Sequence, residues 1–268
     1  MEFVHQSSSK RFRSMLKVDL GRMFKTNLFY IMFGIALVTP ILVLVMTSMF
    51  SGTTMIDPGT GVEVAMEGFT NTWQVVSSVF DASNMEKVAS MDMTSMMNMN
   101  MVYFMIAVFT CLFIAADFKS GYAKILFTGR SKKKEYVTSK FLTCALQGAS
   151  MMIAWLIGVV IGGSVAGLSF DLGDSGVFGL VMCILSKIFL IPLFVAIFVS
   201  LSSFGKQRLW LSLTSSLFLG MIFYMIVPMM TPLNASIMNA GLTLVGGLIF
   251  GLLINLISNV ILNKTDLV

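Results

Sequence analysis

The sequence predicts an all-α integral membrane protein with six transmembrane helices and an N-terminal amphipathic helix lying at the membrane surface. Three observations carry this reading: the composition, the lengths of the apolar runs, and the placing of the basic residues. Of the 268 residues, 56% are hydrophobic and only 12% charged, and the mean hydropathy is +0.88. A soluble domain is about one quarter charged. This much apolar side chain does not fit inside one water-soluble core, so lipid must be the solvent for much of it.

The runs fall at 28–50, 99–116, 141–168, 176–201, 209–229 and 240–262. As a helix, each is long enough to cross the roughly 30 Å of bilayer hydrocarbon, the second only just. None alternates with a period of two, which argues against a barrel. Pro40 sits inside the first run, and Lys187 and Pro192 interrupt the fourth. Neither linker nor fixed-period repeat divides the chain, so residues 1–268 read as one membrane domain.

Basic flanks set the orientation. Lys10, Arg11, Arg13, Lys17, Arg22 and Lys25 precede the first run; Lys119, Lys124, Arg130, Lys132, Lys133, Lys134 and Lys140 lie between the second and third. Lys206 and Arg208 separate the fourth and fifth, and Lys264 follows the sixth. Sixteen of the 18 basic residues therefore lie on one side, which predicts that both termini are cytoplasmic. The net charge of +5 and pI near 9.2 follow from topology and anionic lipid, not from nucleic acid. Residues 51–98 form a long extracellular loop and 117–140 the one large cytoplasmic loop. Residues 1–27 are too long and too charged for a cleavable signal peptide.

Several segments invite a functional reading. Over 10–26, Phe12, Met15, Leu16, Leu20, Met23 and Phe24 recur at helical spacing, with cations around them. Such a helix dips its apolar face into the lipid boundary, either to transmit motion or only to anchor. Gly158-x-x-x-Gly162, Gly163-x-x-x-Gly167 and Gly247-x-x-x-Gly251 permit close helix approach, within the chain or between two copies. Lys187, alone inside a span, either meets an anionic group in a substrate pathway or snorkels to the headgroups. Gln147, Asn255 and Asn259 could line the same pathway or bond between helices. Met91, Met93, Met96, Met97, Met99 and Met101 crowd the start of the second run, as packing, as an adaptable surface for a peptide or lipid, or as a soft Cu(I) site.

Other chemistry is poorly represented. His5 is the only histidine, and Cys111, Cys144 and Cys183 lack paired spacing, which leaves no metal or disulfide framework to propose. No Gly-x-Ser-x-Gly motif and no carboxylate pair falls within a span, so no catalytic residue is expected and the chain is not read as an enzyme. There is no Gly-x-x-x-x-Gly-Lys-Ser/Thr loop, so any ATP-driven work would need a separate motor.

The loop 117–140 carries an order of residues: acid-Phe-basic-x-Gly-x-x-basic, then Gly-x-Ser, then Tyr-x-x-Ser-Lys opening the third run. Asp117, Lys119, Gly121, Lys124, Gly129, Ser131, Tyr136, Ser139 and Lys140 supply it. This order, with the length and span plan, resembles the ABC-2-type permeases of ATP-binding-cassette transporters. The resemblance implies a plasma-membrane permease, bacterial and exporting. It also implies a second copy or paralogue, and a separate ATPase that binds the ATP and magnesium. Coupling to that ATPase would run through Asp117, Lys119, Gly121, Tyr122, Lys124, Ile125, Gly129 and Ser131. The first outer loop is longer, and the connection between the fifth and sixth runs shorter, than in many relatives. That long loop sustains an alternative: a sensor or anchor subunit that binds a ligand or peptide without transporting it.

Overall fold

The computed structural model describes residues 8–56, 63–65, 68–76, 98–128, 133–172, 176–205, 208–232 and 235–264. They form an up-and-down array of helices: α1 (Ser8–Lys25), α2 (Asn27–Phe50), α3 (Val102–Lys119), α4 (Tyr122–Thr128), α5 (Lys133–Ala166), α6 (Gly176–Gly205), α7 (Leu209–Met230) and α8 (Ile237–Lys264). A single 3-10 turn, Met99–Met101, leads into α3. Five of these helices, α2, α3 with its leading turn, α5, α6 and α8, are long and apolar enough to cross a membrane. In α7 the apolar stretch among the described residues is Leu209–Ile222. A helix is the economical form here because it satisfies every backbone polar group within its own segment.

Two departures from the expected elements have clear causes. α5 begins at Lys133, well before the apolar run, because its polar first turns pack against α1. The long loop contains a short antiparallel ribbon, β1 (Thr54–Ile56) with β2 (Glu63–Ala65), pairing Met55 with Val64. Residues 57–62, 66–67 and 77–97 of this loop, Met91 to Met97 among them, lie outside the described residues, as do Gly129 and Ser131.

α3 is the centre of the bundle. Its most apolar window is 61% buried, against 28% for α2 and for α8, whose outward faces are left to lipid. Ile106, Phe109, Phe113 and Ile114 of α3 pack into one continuous core with Trp155 of α5 and Phe194 and Phe198 of α6.

Two helix pairs grip each other through glycine and proline. α5 crosses α2 at Gly158 and Gly162. A Cβ on Gly158 would overlap the Leu37 carbonyl oxygen, and one on Gly162 would lie 2.8 Å from Ile41 Cα. Pro40 of α2 sits at the same crossing. α8 crosses α6 in the same manner: a Cβ on Gly247 would overlap the Phe189 carbonyl oxygen, and one on Gly251 would lie 3.1 Å from that of Pro192. The small-residue motifs are thus used inside the chain, where backbone contact and dispersion replace the hydrophobic drive that lipid removes. Gly163 meets Thr72 of the loop 51–98.

At the end of the bundle opposite the basic loops, Asn71–Val75 is clasped to the α5–α6 connection. Thr72 N–H donates to Ser169 O at 2.9 Å and Trp73 Nε1 to Phe170 O at 3.0 Å, and Asn71 Nδ2 donates to Asp171 O. At the basic end, α1 lays Met15, Asp19 and Met23 inward. The stripe expected to dip into lipid therefore faces α5 in large part, while Val18 and Phe24 remain outward.

Replacing Gly247 with Leu should lower stability by about 3 kcal/mol, because the facing backbone cannot yield. Gly241→Ala, with nothing within 4 Å of a new Cβ, should leave it unchanged or raised. Thermal unfolding of the purified chain in detergent distinguishes the two.

Candidate functional site: buried charges at both ends of the bundle

The basic end is built around Lys140. This residue lies on α5, one helical turn after Tyr136, and its side chain is fully buried. Its Nζ is 2.7 Å from Asp19 Oδ1 of α1 and 2.7 Å from Asp117 Oδ2 at the end of α3. Ser139 Oγ donates to Asp19 Oδ2 at 2.6 Å, and Tyr136 Oη donates to Asp117 Oδ2 at 3.0 Å. Arg22 of α1 forms an ion pair with Asp117 Oδ1 at 2.7 Å and stands over the Tyr122 ring at 4.2 Å. The Phe113 ring lies 4.2 Å from the ammonium. Two carboxylates and two cations thus cancel, which is what makes charge tolerable in the interior.

The electrostatics follow from that arrangement. Burial lowers the Arg22 guanidinium, but the charge and hydrogen bond of Asp117 together with the charges of Tyr122 and Asp19 outweigh it, and the group is held above its ordinary value. Burial pushes the Tyr122 phenol up, and the charge of Asp19 adds to this. A second, looser pair, Arg11 with Glu135 at 3.6 Å, ties α1 to the start of α5.

The motif residues of this loop divide into two groups. Asp117, Tyr136, Ser139 and Lys140 face inward, so Asp117 does not present itself to a partner. Lys119, Lys124 and Ile125 face outward. Gly121, at φ +73, makes the turn between α3 and α4, a left-handed conformation that a side chain would resist. α4 is then held by buried Ala123 and by Phe127, whose ring meets that of Tyr136 edge-on at 5.3 Å. This leaves Ile125 73% exposed, with Lys124 beside it.

The opposite end holds the other buried lysine. Lys187 of α6 is fully buried, and its Nζ donates to Asn100 Oδ1 at 2.7 Å and to Thr231 Oγ1 at 3.0 Å. Tyr103 Oη donates to the Lys187 carbonyl at 2.8 Å and its ring stacks on Phe194 at 4.2 Å. The side chain thus turns into the protein and does not snorkel. Gln147 is also fully buried, with Oε1 accepting from Ser150 Oγ at 3.2 Å. Asn255 is largely buried on α8, while the Asn259 side chain lies outside the described residues. No hydrogen bond joins Lys187 to Gln147 or to Asn255, so these pathway candidates do not form one polar site. A groove of about 280 Å³ between α5, α6 and α8 is lined by apolar side chains, among them Ala149, Ile188, Ile191 and Leu244. Among the described residues, no group of three or more His, Cys, Asp or Glu could hold a metal ion.

Sequence reasoning passed over Asp19, Asn100 and Thr231. For Asp19 a signal existed: it lies four residues from both Met15 and Met23, on the face that α1 buries. No known family, curated protein or solved structure matches the chain.

Lys140→Met should cost about 3–5 kcal/mol, because it strands two buried carboxylates. Combining it with Asp19→Asn should cost less than the sum of the two single changes, by about 1–3 kcal/mol. Denaturant unfolding of the four members of the cycle measures that coupling.

Proposed function

We propose that this chain is the membrane subunit of a split transporter, a permease of ABC-2 type driven by a separate ATP-binding-cassette ATPase. On this reading there are six spans, α7 being the fifth, and both termini are cytoplasmic in a bacterial plasma membrane. The direction is export, and the working unit contains a second permease copy or paralogue. ATP and magnesium belong to the partner.

The observation that carries the reading is α4. It is a seven-residue helix placed between two apolar spans on the basic end of the bundle. It turns an exposed isoleucine flanked by Lys124 outward, while its root is fixed to a buried charge cluster. An apolar tip amid positive charge suits a groove with an acidic rim, since apolar contact supplies affinity and charge supplies orientation. The cluster ties the root of α4 to α1, α3 and α5 together. A push on α4 therefore reaches three helices instead of one loop.

The clasp between the two outer loops favours a second reading, a sensor or anchor subunit whose outer loop holds a ligand. Purification from the native membrane in gentle detergent separates the two. A stoichiometric soluble partner with a Walker A loop supports the permease; a stable chain without ATPase supports the sensor.

Changing both Lys124 and Ile125 to Asp should reduce recovery of the ATPase at least tenfold while leaving the yield and melting of this chain unchanged. Equal recovery of the ATPase would remove α4 as its docking point.

A further inference from the structure

We infer that Lys187 and Asn100 form a binding site for a compact oxyanion, a carboxylate or a phosphate group, at the end of the bundle away from the basic loops. The two buried lysines among the described residues are treated in opposite ways. Lys140 has two carboxylates within 2.7 Å. Lys187, equally buried, has two neutral oxygens and no carboxylate among the described residues. Its third N–H has no acceptor there. Asn100 is fully buried as well, and its Nδ2 makes no hydrogen bond among the described residues. Among the described residues the lysine thus meets no counter-charge, and buried donors are left over. A buried ammonium without a counter-charge is costly, and unused buried donors add to that cost. The complement to such a set is an anion that accepts several hydrogen bonds.

The site lies where two helices end. Asn100 lies in the turn leading into α3 and Thr231 just beyond α7, so the lysine of α6 holds the ends of two helices. Each is held through a neutral acceptor. An oxyanion makes shorter and stronger bonds to an ammonium than an amide or hydroxyl oxygen does. It would take Nζ from Asn100 Oδ1 and Thr231 Oγ1 and release those two helix ends from α6. Use of the site as a cargo contact rests on the transport reading above; binding itself does not.

The test uses the purified full chain without any ATPase, so its outcome is separate from that of partner recovery. Melting is followed against inorganic phosphate and acetate in water, and against phosphatidic acid and oleate in phosphatidylcholine nanodiscs. Sodium chloride at matched ionic strength is the reference. We expect saturable stabilisation by at least one oxyanion, absent in Lys187→Met and weakened roughly tenfold in Asn100→Leu, which keeps the lysine. A response to phosphate or acetate identifies a water-borne ligand, and a response to the lipids alone a membrane-borne one; either supports the site. No saturable response of the wild-type chain to any probe, or an equal response in Asn100→Leu, overturns it. The wild-type and Asn100→Leu titrations decide the matter even where Lys187→Met does not fold.

Discussion

The contact between Lys140 and its two carboxylates is the constraint on which the basic end of this protein depends. Three helices contribute to it: α1 through Asp19 and Arg22, α3 through Asp117, and α5 through Lys140, Tyr136 and Ser139. Buried ion pairs are poor sources of net stability, because desolvation consumes most of the attraction. Their strength lies in intolerance of alternatives. Once Lys140 is buried, only one placement of α1 and α3 satisfies it, so the cluster fixes register in a bundle whose other contacts are apolar and forgiving. The length of α5 makes this feasible. Its 34 residues extend about 51 Å, well beyond the roughly 30 Å of hydrocarbon, so the first turns carry the charges toward the water.

Away from that end, cohesion comes from shape. The α2–α5 and α6–α8 pairs use one device twice: glycines on one helix receive the backbone of another at a proline. Proline removes a backbone donor and frees a carbonyl one turn back, and a neighbour without side chains can approach such a helix closely. The pairs are tight within themselves, and α3 fills the space between them. Charge at one end and close backbone contact in the middle leave the far end, around Lys187, as the part held without an ion pair among the described residues.

Much of this was legible in the sequence, for reasons that differ by element. The apolar runs were clear because bilayer thickness fixes their length. The motif of the 117–140 loop drew attention to Asp117, Tyr136, Ser139 and Lys140, though not to the inward role that the fold gives them. Asp19 was missed because a single acid among six cations reads as a solvated residue; only its spacing from Met15 and Met23 betrays it. Asn100 and Thr231 sit at the ends of apolar runs, where polar residues are ordinary, and nothing local marks them as partners of a lysine far along the chain. The glycine motifs announced close approach but not to which helix, since that depends on how the spans are arranged. The ribbon escaped notice because strands of three residues leave almost no periodic signal.

The same long α5 has a mechanical consequence. Its far end is held where Gly163 meets Thr72, and its near end where Lys140 meets Asp19 and Asp117. The distance between these two points is about 35 Å along the axis. A helix held at one end acts as a lever, and a swing of about 5° displaces the other end by about 3 Å over that length. That displacement exceeds what any hydrogen bond to Lys140 can absorb. A rotation of that size at one end of α5 would therefore break the joint at the other.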